Sequence, residues 1–391
     1  MFVSAKGGET AIENSIRLLA QRRRGDLSVE QVSSSQIVEQ LGLAVDRVMA
    51  EAALWEPITA AHAIQQARGD LVEAVFLLRA WRTTLPRQAF SKALATENMR
   101  LERRISATFK DIPGGQVLGP TFDYTHRLLE EIEEDPSPPS PPEQLHVEDL
   151  MRNVPTVARL LEDVDLMQRE TPENSGHVPF DITRESIRFP ADRDQRLQLL
   201  GRGDEGFLLS LAYSVQRGFG GNHPFVGELR VGWVMIEVEL EELDLVISLG
   251  EVRITECQTV HQFISTSDQP PQFTRGYGLV VGHNERKAIA MAIVDRALRS
   301  KELGESIQFP AQDEEFVLAH LDNVQASGFV SHLKLPHHVD FQSELHLLRC
   351  LRAAHSAKTY STSEGTELRE NVATILATWM KLPRDHCAEQ F

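Results

Sequence analysis

The chain has 391 residues, 41% hydrophobic and 25% charged, the composition of a soluble globular protein too long for one ordinary core. A formal net charge of −17 argues against nucleic acid as the main partner, since a phosphate backbone needs a basic surface, but leaves room for a local basic pocket that takes a small phosphorylated substrate. No apolar run spans a bilayer, the N-terminus from Met1 to Gly8 lacks a signal peptide's basic-then-apolar layout, and the scattered Cys257, Cys350 and Cys387 form neither a disulfide framework nor a cluster-binding motif. A cytoplasmic protein with no iron–sulfur cluster of its own is expected.

In chain order, Glu9 to Arg23 carries a helical stripe in Ala11, Ile12, Ile16, Leu19 and Ala20, and Ser33 to Ala53 repeats the pattern through Ile37, Val38, Leu41, Val45, Val48 and Met49. Asp70 is an expected N-cap, with Glu73 as a capping-box partner, for a helix whose body runs from Val72 to Leu85. A basic stretch (Arg100, Arg103, Arg104, Lys110) leads into the turn-rich Asp111-Ile112-Pro113-Gly114-Gly115. Residues 130–143 mix acids with five prolines, as a solvated linker does. One more helix fits 144–168, and 169–195 reads as irregular. A helix is expected from Arg202 to Val215, strands over Glu228–Leu240 and Leu245–Glu256, and an amphipathic helix over Glu285–Arg299. Glu314–Asn323 and Phe341–Ala354 also read as helical, and the tail after about 356 holds one short amphipathic stretch ending near Met380. The class is α+β with a mostly antiparallel central sheet, divided into a mainly helical region 1–128, a variable proline-rich linker and helix 129–195, an α+β core 196–355 and a partly helical tail 356–391.

Several segments invite chemistry. His332 and His337 flank Pro336 at a spacing of five, which does not stack two side chains on one helical face and suits an extended or turning segment instead. Two imidazoles are half of a zinc site, so the remaining ligands must come from elsewhere in the chain or from a partner, or the site does not exist. Gly114 and Gly119 have P-loop spacing, but Pro120 replaces the lysine. The run Gly218 to Pro224 is a flexible loop or an anion cradle. Arg275, Gly276 and Gly278 read as a surface turn or as a place where backbone and guanidinium close on a phosphate. Asp313 and Glu314, and likewise Asp204 with Glu205, sit at expected helix starts, where the helix dipole favours acids; each is either a cap or a catalytic carboxylate.

These segments together resemble one family. Val3–Glu9, Arg22–Asp26, Arg100–Ser106, Lys110–Gln116, Arg202–Gly206, Phe273–Gly278, Ala311–Phe316 and the His332/His337 segment are similar, in order, to the I subunit of the carbon–phosphorus lyase core complex, the PhnI family, over roughly residues 1–355. The resemblance implies bacterial phosphonate degradation. It implies displacement of adenine from Mg-ATP by methylphosphonate, giving α-D-ribose 1-methylphosphonate 5-triphosphate, with purine nucleosidase activity in the chain alone. It also implies assembly with G, H and J subunits, and a Zn²⁺ shared with J through His332, His337 and a cysteine of J. The J subunit would carry the radical S-adenosylmethionine cluster. N-glycosidic cleavage passes through an oxocarbenium-like state and asks for negative charge near the anomeric carbon, a proton for the base and cations for the triphosphate. Two other readings stay open: a scaffold that only lends zinc ligands, and a self-contained zinc hydrolase with Asp340 or Cys350 as third ligand.

Overall fold

The computed structural model describes residues 8–129, 140, 154–170, 179–219, 223–263, 265–266 and 269–360. The expected linker over 130–143, the Gly-rich run at 220–222 and the amphipathic stretch before Met380 therefore lie wholly or mostly outside the described residues. Packing groups the chain into two compact units, Leu18–Ser327 on one side and Met1–Arg17 with Gly328–Phe391 on the other, each considered by its described residues.

Helix α1 (Gly8–Arg24) has Arg22, Arg23 and Arg24 in its last turn, the end where cations complement the dipole. The single helix expected over Ser33–Ala53 is two, α2 (Ser34–Gln40) and α3 (Gly42–Ala52), broken at Leu41. Ser33 starts α2 with a full capping box to Gln36. α4 (Pro57–Gln66), which the pattern reading misses, opens with proline at its first position, where no amide hydrogen is needed. Asp70 caps α5 (Leu71–Arg82) by accepting from the amides of Val72 and Glu73. α2 to α5 bury Ile37, Val45, Val48, Met49, Ala60, Ile64, Val75 and Leu78 in one cluster, against which Val281 also packs.

The described strands form one antiparallel sheet in the order β1-β2-β3-β4: β1 (Arg100–Ile105), β2 (Phe225–Leu240), β3 (Leu245–Phe263) and β4 (Gln272–Val281). The expected strands at Glu228–Leu240 and Leu245–Glu256 are present and longer than anticipated. β2 and β3 make a long hairpin, from Phe225↔Val260 to Leu240↔Leu245. β1 and β4 were not anticipated. β1 hides behind its arginines, two of which, Arg103 and Arg104, are almost completely buried, and β4 behind its glycines.

α6 (Val157–Asp163) starts at a Thr156 cap and falls within the helix expected over 144–168, of which 144–153 lie outside the described residues. α7 (Arg193–Arg202) falls partly in the stretch read as irregular, and α8 (Glu205–Ser214) follows at once, running into a π turn at Val215–Phe219. α9 (Glu285–Leu298) lies against β4 and β3, and almost every residue from Lys287 to Leu298 is buried. Its apolar side chains join Leu200, Leu208, Leu229 and Leu321 in the main core. α10 (Glu314–His320), α11 (Asn323–His332) and α12 (His338–Tyr360) complete the described chain. The α+β class stands.

Candidate functional site

A cleft of about 630 Å³ opens within the Leu18–Ser327 unit. α3 supplies Leu43, Ala44 and Arg47, the loop after β1 supplies Pro120 to Asp123 with Thr125 and Arg127, α8 supplies Glu205, the β4–α9 turn supplies His283 and Asn284, and the start of α9 supplies Glu285 and Arg286. The failed P-loop thus contributes its Pro120 to the wall. Gly119 before it is left-handed (φ 61°), and a Cβ there would sit 2.5 Å from the Glu102 carbonyl, so glycine lets this loop lie against β1.

The charged groups of this cleft are cross-linked. Buried Arg103 donates through Nη2 to Asp123 at 2.6 Å and stands in an ion pair with Glu285, Nε to Oε1 at 2.7 Å, so one guanidinium holds two carboxylates of the wall. His283 meets Glu285 at 3.0 Å (Nε2 to Oε1). Arg47 joins α3 to the start of α8, with Nε 2.9 Å from Glu51 and Nη2 3.2 Å from Asp204. Arg286 reaches Glu205 at 3.1 Å. Asp46 fixes the turn that presents His283: its carboxylate takes Arg253 at 2.6 Å and the His283 amide at 3.0 Å. Burial raises the Asp46 pKa, with Arg253 and the His283 amide opposing. Gly282 is required there, because a Cβ would meet the Asp46 side chain at 2.7 Å and its φ is +79°.

Behind this wall Lys287 is completely buried, and its ammonium has no hydrogen-bond partner among the described residues. Burial lowers its pKa to about 8, with Glu51 and Glu205 acting to raise it. Of these residues the sequence had singled out only the Asp204/Glu205 pair and the basic stretch holding Arg103. Lys287 sits in an amphipathic helix where lysine reads as a solvated face, and nothing local signals its burial.

Of the carboxylates read as either caps or catalysts, Asp204 and Asp313 are N-caps in this structure and Glu314 is an acceptor for a distant backbone amide. Asp204 accepts from the Phe207 amide at 2.7 Å and also holds Arg47 and Asn323, the latter at 3.0 Å. Asp313 accepts from the Phe316 amide at 3.0 Å, and Glu314 accepts from the Ala191 amide. Asp204 stands beside the cleft through Arg47; Asp313 and Glu314 are not among its lining.

Arg275, Gly276 and Gly278 are not in a surface turn. They lie within β4, paired with Val260, Thr259 and Cys257 of β3. Arg275 is bonded to Glu170 at 2.7 Å. A Cβ on Gly276 would meet the Ala292 carbonyl oxygen at 2.0 Å, and one on Gly278 the Ala288 carbonyl oxygen at 2.1 Å. The small residues do permit a close backbone approach, but the backbone is that of α9.

His332 and His337 are brought together, though by a different route from the extended segment expected. His332 ends α11, His337 precedes α12, and His338 is the first residue of α12. Their ring centroids are 5.3 Å apart. In each, Nδ1 faces a carbonyl, that of Phe329 for His332 and that of Leu335, at 2.6 Å, for His337. A carbonyl only accepts, so Nδ1 carries the proton and Nε2 keeps its lone pair. That is the tautomer of an Nε2 metal ligand. Among the described residues no three His, Cys, Asp or Glu are grouped to hold a metal; Cys350 lies along α12, 3.8 Å from His346.

The family model of the bacterial phosphonate metabolism protein PhnI matches residues 1–355. The chain belongs to the PhnI family. It is 56% identical over 367 residues to "Alpha-D-ribose 1-methylphosphonate 5-triphosphate synthase subunit PhnI" of Rhizobium meliloti (strain 1021), covering 93% of this chain and 98% of that protein. To the Escherichia coli (strain K12) protein of the same name it is 54% identical over 367 residues, covering 90% and 98%. To a "Putative C-P lyase subunit protein HtxH" of Stutzerimonas stutzeri it is 42% identical over 373 residues, covering 93% and 99%. The PhnI match spans both compact units, the cleft and the histidine pair alike.

Proposed function

We propose that this chain is a subunit of an α-D-ribose 1-methylphosphonate 5-triphosphate synthase that works on ATP in the bacterial cytoplasm. The observation that carries the reading is identity above one half, over almost the whole of both chains, to two proteins bearing that name. In this reaction a methylphosphonate oxygen forms a bond to C1′ of the ribose as the C1′–N9 bond breaks. The bonding pair leaves with adenine, which takes up a proton. With water in place of the phosphonate, the same bond cleavage is a nucleosidase reaction. Magnesium accompanies the triphosphate as part of the substrate. The partners proposed are G, H and J subunits, with alkylphosphonate as co-substrate.

The histidine pair fits a shared zinc. Two imidazoles with Nδ1 committed to carbonyls and Nε2 available suit two of the ion's ligands, and no third from the described residues joins them. The proposed completion is a thiolate of the J subunit. Zinc held there would join the two subunits and polarise an oxygen at an open position.

The test is release of base. Folded chain incubated with Mg-ATP should free adenine slowly, and with the partner subunits and methylphosphonate it should form the phosphonate-bearing product, both followed by chromatography. The scaffold reading is favoured by one observation, that Asp204, Asp313 and Glu314 all serve as helix-cap or backbone acceptors. No adenine under either condition would establish that reading instead.

A further inference from the structure

We propose that the cleft between α3, the loop at 120–127 and the starts of α8 and α9 is where the purine nucleoside triphosphate binds, the base on Phe122, the phosphates on Arg127 and Arg286, and the ribose and magnesium beside Glu205 and Glu285. The assignment rests on the functional reading above and adds its location. The volume of about 630 Å³ lies in the range of small-molecule sites that enclose most of their ligand.

The lining sorts into the parts a nucleotide needs. Phe122 is 60% exposed, and Arg127 stands over its ring at 5.7 Å to the centroid, an apolar face with a cation beside it that accepts a stacked base. Arg127 and Arg286 keep 63% and 76% of their side-chain surface in solvent, so their guanidinium groups can take phosphate oxygens without first being dug out of the core. The first residues of α8 and α9, Glu205 and Glu285, both line the cleft, so the positive ends of two helix dipoles converge on it.

The carboxylates do not oppose this. Asp123 pairs with Arg103 and Arg127, Glu285 with Arg103 and Glu205 with Arg286, so three cations match three carboxylates, which serve as acceptors for ribose hydroxyls or as ligands for the magnesium that a triphosphate brings. Lys287 supplies the remaining support. A fully enclosed ammonium without a hydrogen bond costs stability, and here it stands close to Glu51, Glu205 and Asp204, where it offsets part of the negative charge at the start of α8.

The measurement is equilibrium titration of the folded chain, alone and assembled with its partners, with Mg-ATP and separately with inorganic tripolyphosphate. Phe122→Ala should weaken Mg-ATP by roughly tenfold and leave tripolyphosphate unchanged; Arg127→Ala and Arg286→Ala should weaken both by roughly tenfold. All three side chains are largely exposed, so the variants fold; Arg159→Ala, on exposed α6 surface outside the cleft, should match wild type. If wild type binds Mg-ATP and releases its base while the three cleft variants bind it within twofold of wild type, the location is wrong and the function stands. If wild type neither binds Mg-ATP nor releases base, the functional reading falls and the assignment with it.

Discussion

Glu170 accepts from three guanidinium groups, Arg275 at 2.7 Å, Arg193 at 2.9 Å and Arg299 at 2.6 Å. Burial by itself would raise its pKa; Arg275 and Arg193, then Arg299, overcome that and hold it at about 2. A carboxylate depressed in the folded state contributes its full stabilisation above its unfolded pKa, near 4.5, and loses it as pH falls from there toward 2. The contribution at neutral pH is on the order of 3 kcal/mol. Acid unfolding should therefore steepen between about pH 4.5 and pH 2, and Glu170→Gln should remove that part of the dependence while destabilising the protein at pH 7 by about 3 kcal/mol, because three partly buried cations lose their common acceptor. Chemical denaturation at a series of pH values checks both; a variant as stable as wild type at pH 7 would show that the network contributes nothing. The same network engages Arg275, which the sequence sets between prolines and glycines, as an ion-pair partner of Glu170.

At the scale of elements, the β4–α9 contact determines where the cleft wall stands. β4 presents Gly276 and Gly278 to the backbone of α9, and the turn after β4, pinned by Asp46, delivers His283 and Glu285 to the cleft. Gly278→Ala places a methyl 2.1 Å from the Ala288 carbonyl oxygen, so the helix must move away from the sheet. The expected loss is about 3 kcal/mol, seen as a lower midpoint in thermal or urea unfolding. Gly328→Ala is the control. It lies in α11 with nothing within 4 Å of an added Cβ, so it should be neutral or gain up to about 1 kcal/mol from helix propensity. Equal effects of the two substitutions would refute the close-approach role of β4.

At the scale of the whole molecule, the unit that carries the histidine pair is unfinished. Phe329, Val330, Leu333, Val339 and Phe341, which flank His332 and His337 in the chain, are all exposed, and large apolar side chains left in solvent around the proposed zinc ligands suit a surface that a partner covers. Zinc per assembled complex, by elemental analysis, should fall to zero for His332→Ala and for His337→Ala and stay full for His338→Ala, whose residue opens α12 and takes no part in the facing ring pair. Retention of zinc in the first two variants would remove them as ligands. The isolated chain should bind zinc far more weakly than the complex, since two imidazoles leave a tetrahedral ion half coordinated.

Local pattern was enough for elements whose signal is short-range. The Asp70 cap, the stripe of α1, the helix at α9 (though not its burial on all sides) and the two long strands follow from periodicity and capping over a few residues, and the family follows from motifs that can be read in order. The His332/His337 pair was legible as a pair, but five extended residues span about 17 Å, and it is the turn between α11 and α12 that brings the rings to 5.3 Å. Packing over long range decided the rest. β1 and β4 do not look like strands because their arginines and glycines are there to meet Glu228, Glu170 and the backbone of α9, partners distant in sequence. Asp204 and Asp313 could not be divided between cap and catalyst by composition, since one carboxylate at a helix start suits both. The cleft gathers α3, the loop after β1, α8 and α9 from positions 43 to 286, and Lys287 becomes a buried cation only when α9 is laid on the sheet. A side chain's electrostatic environment is a property of what is folded around it, and that is fixed by tertiary contacts that no local window contains.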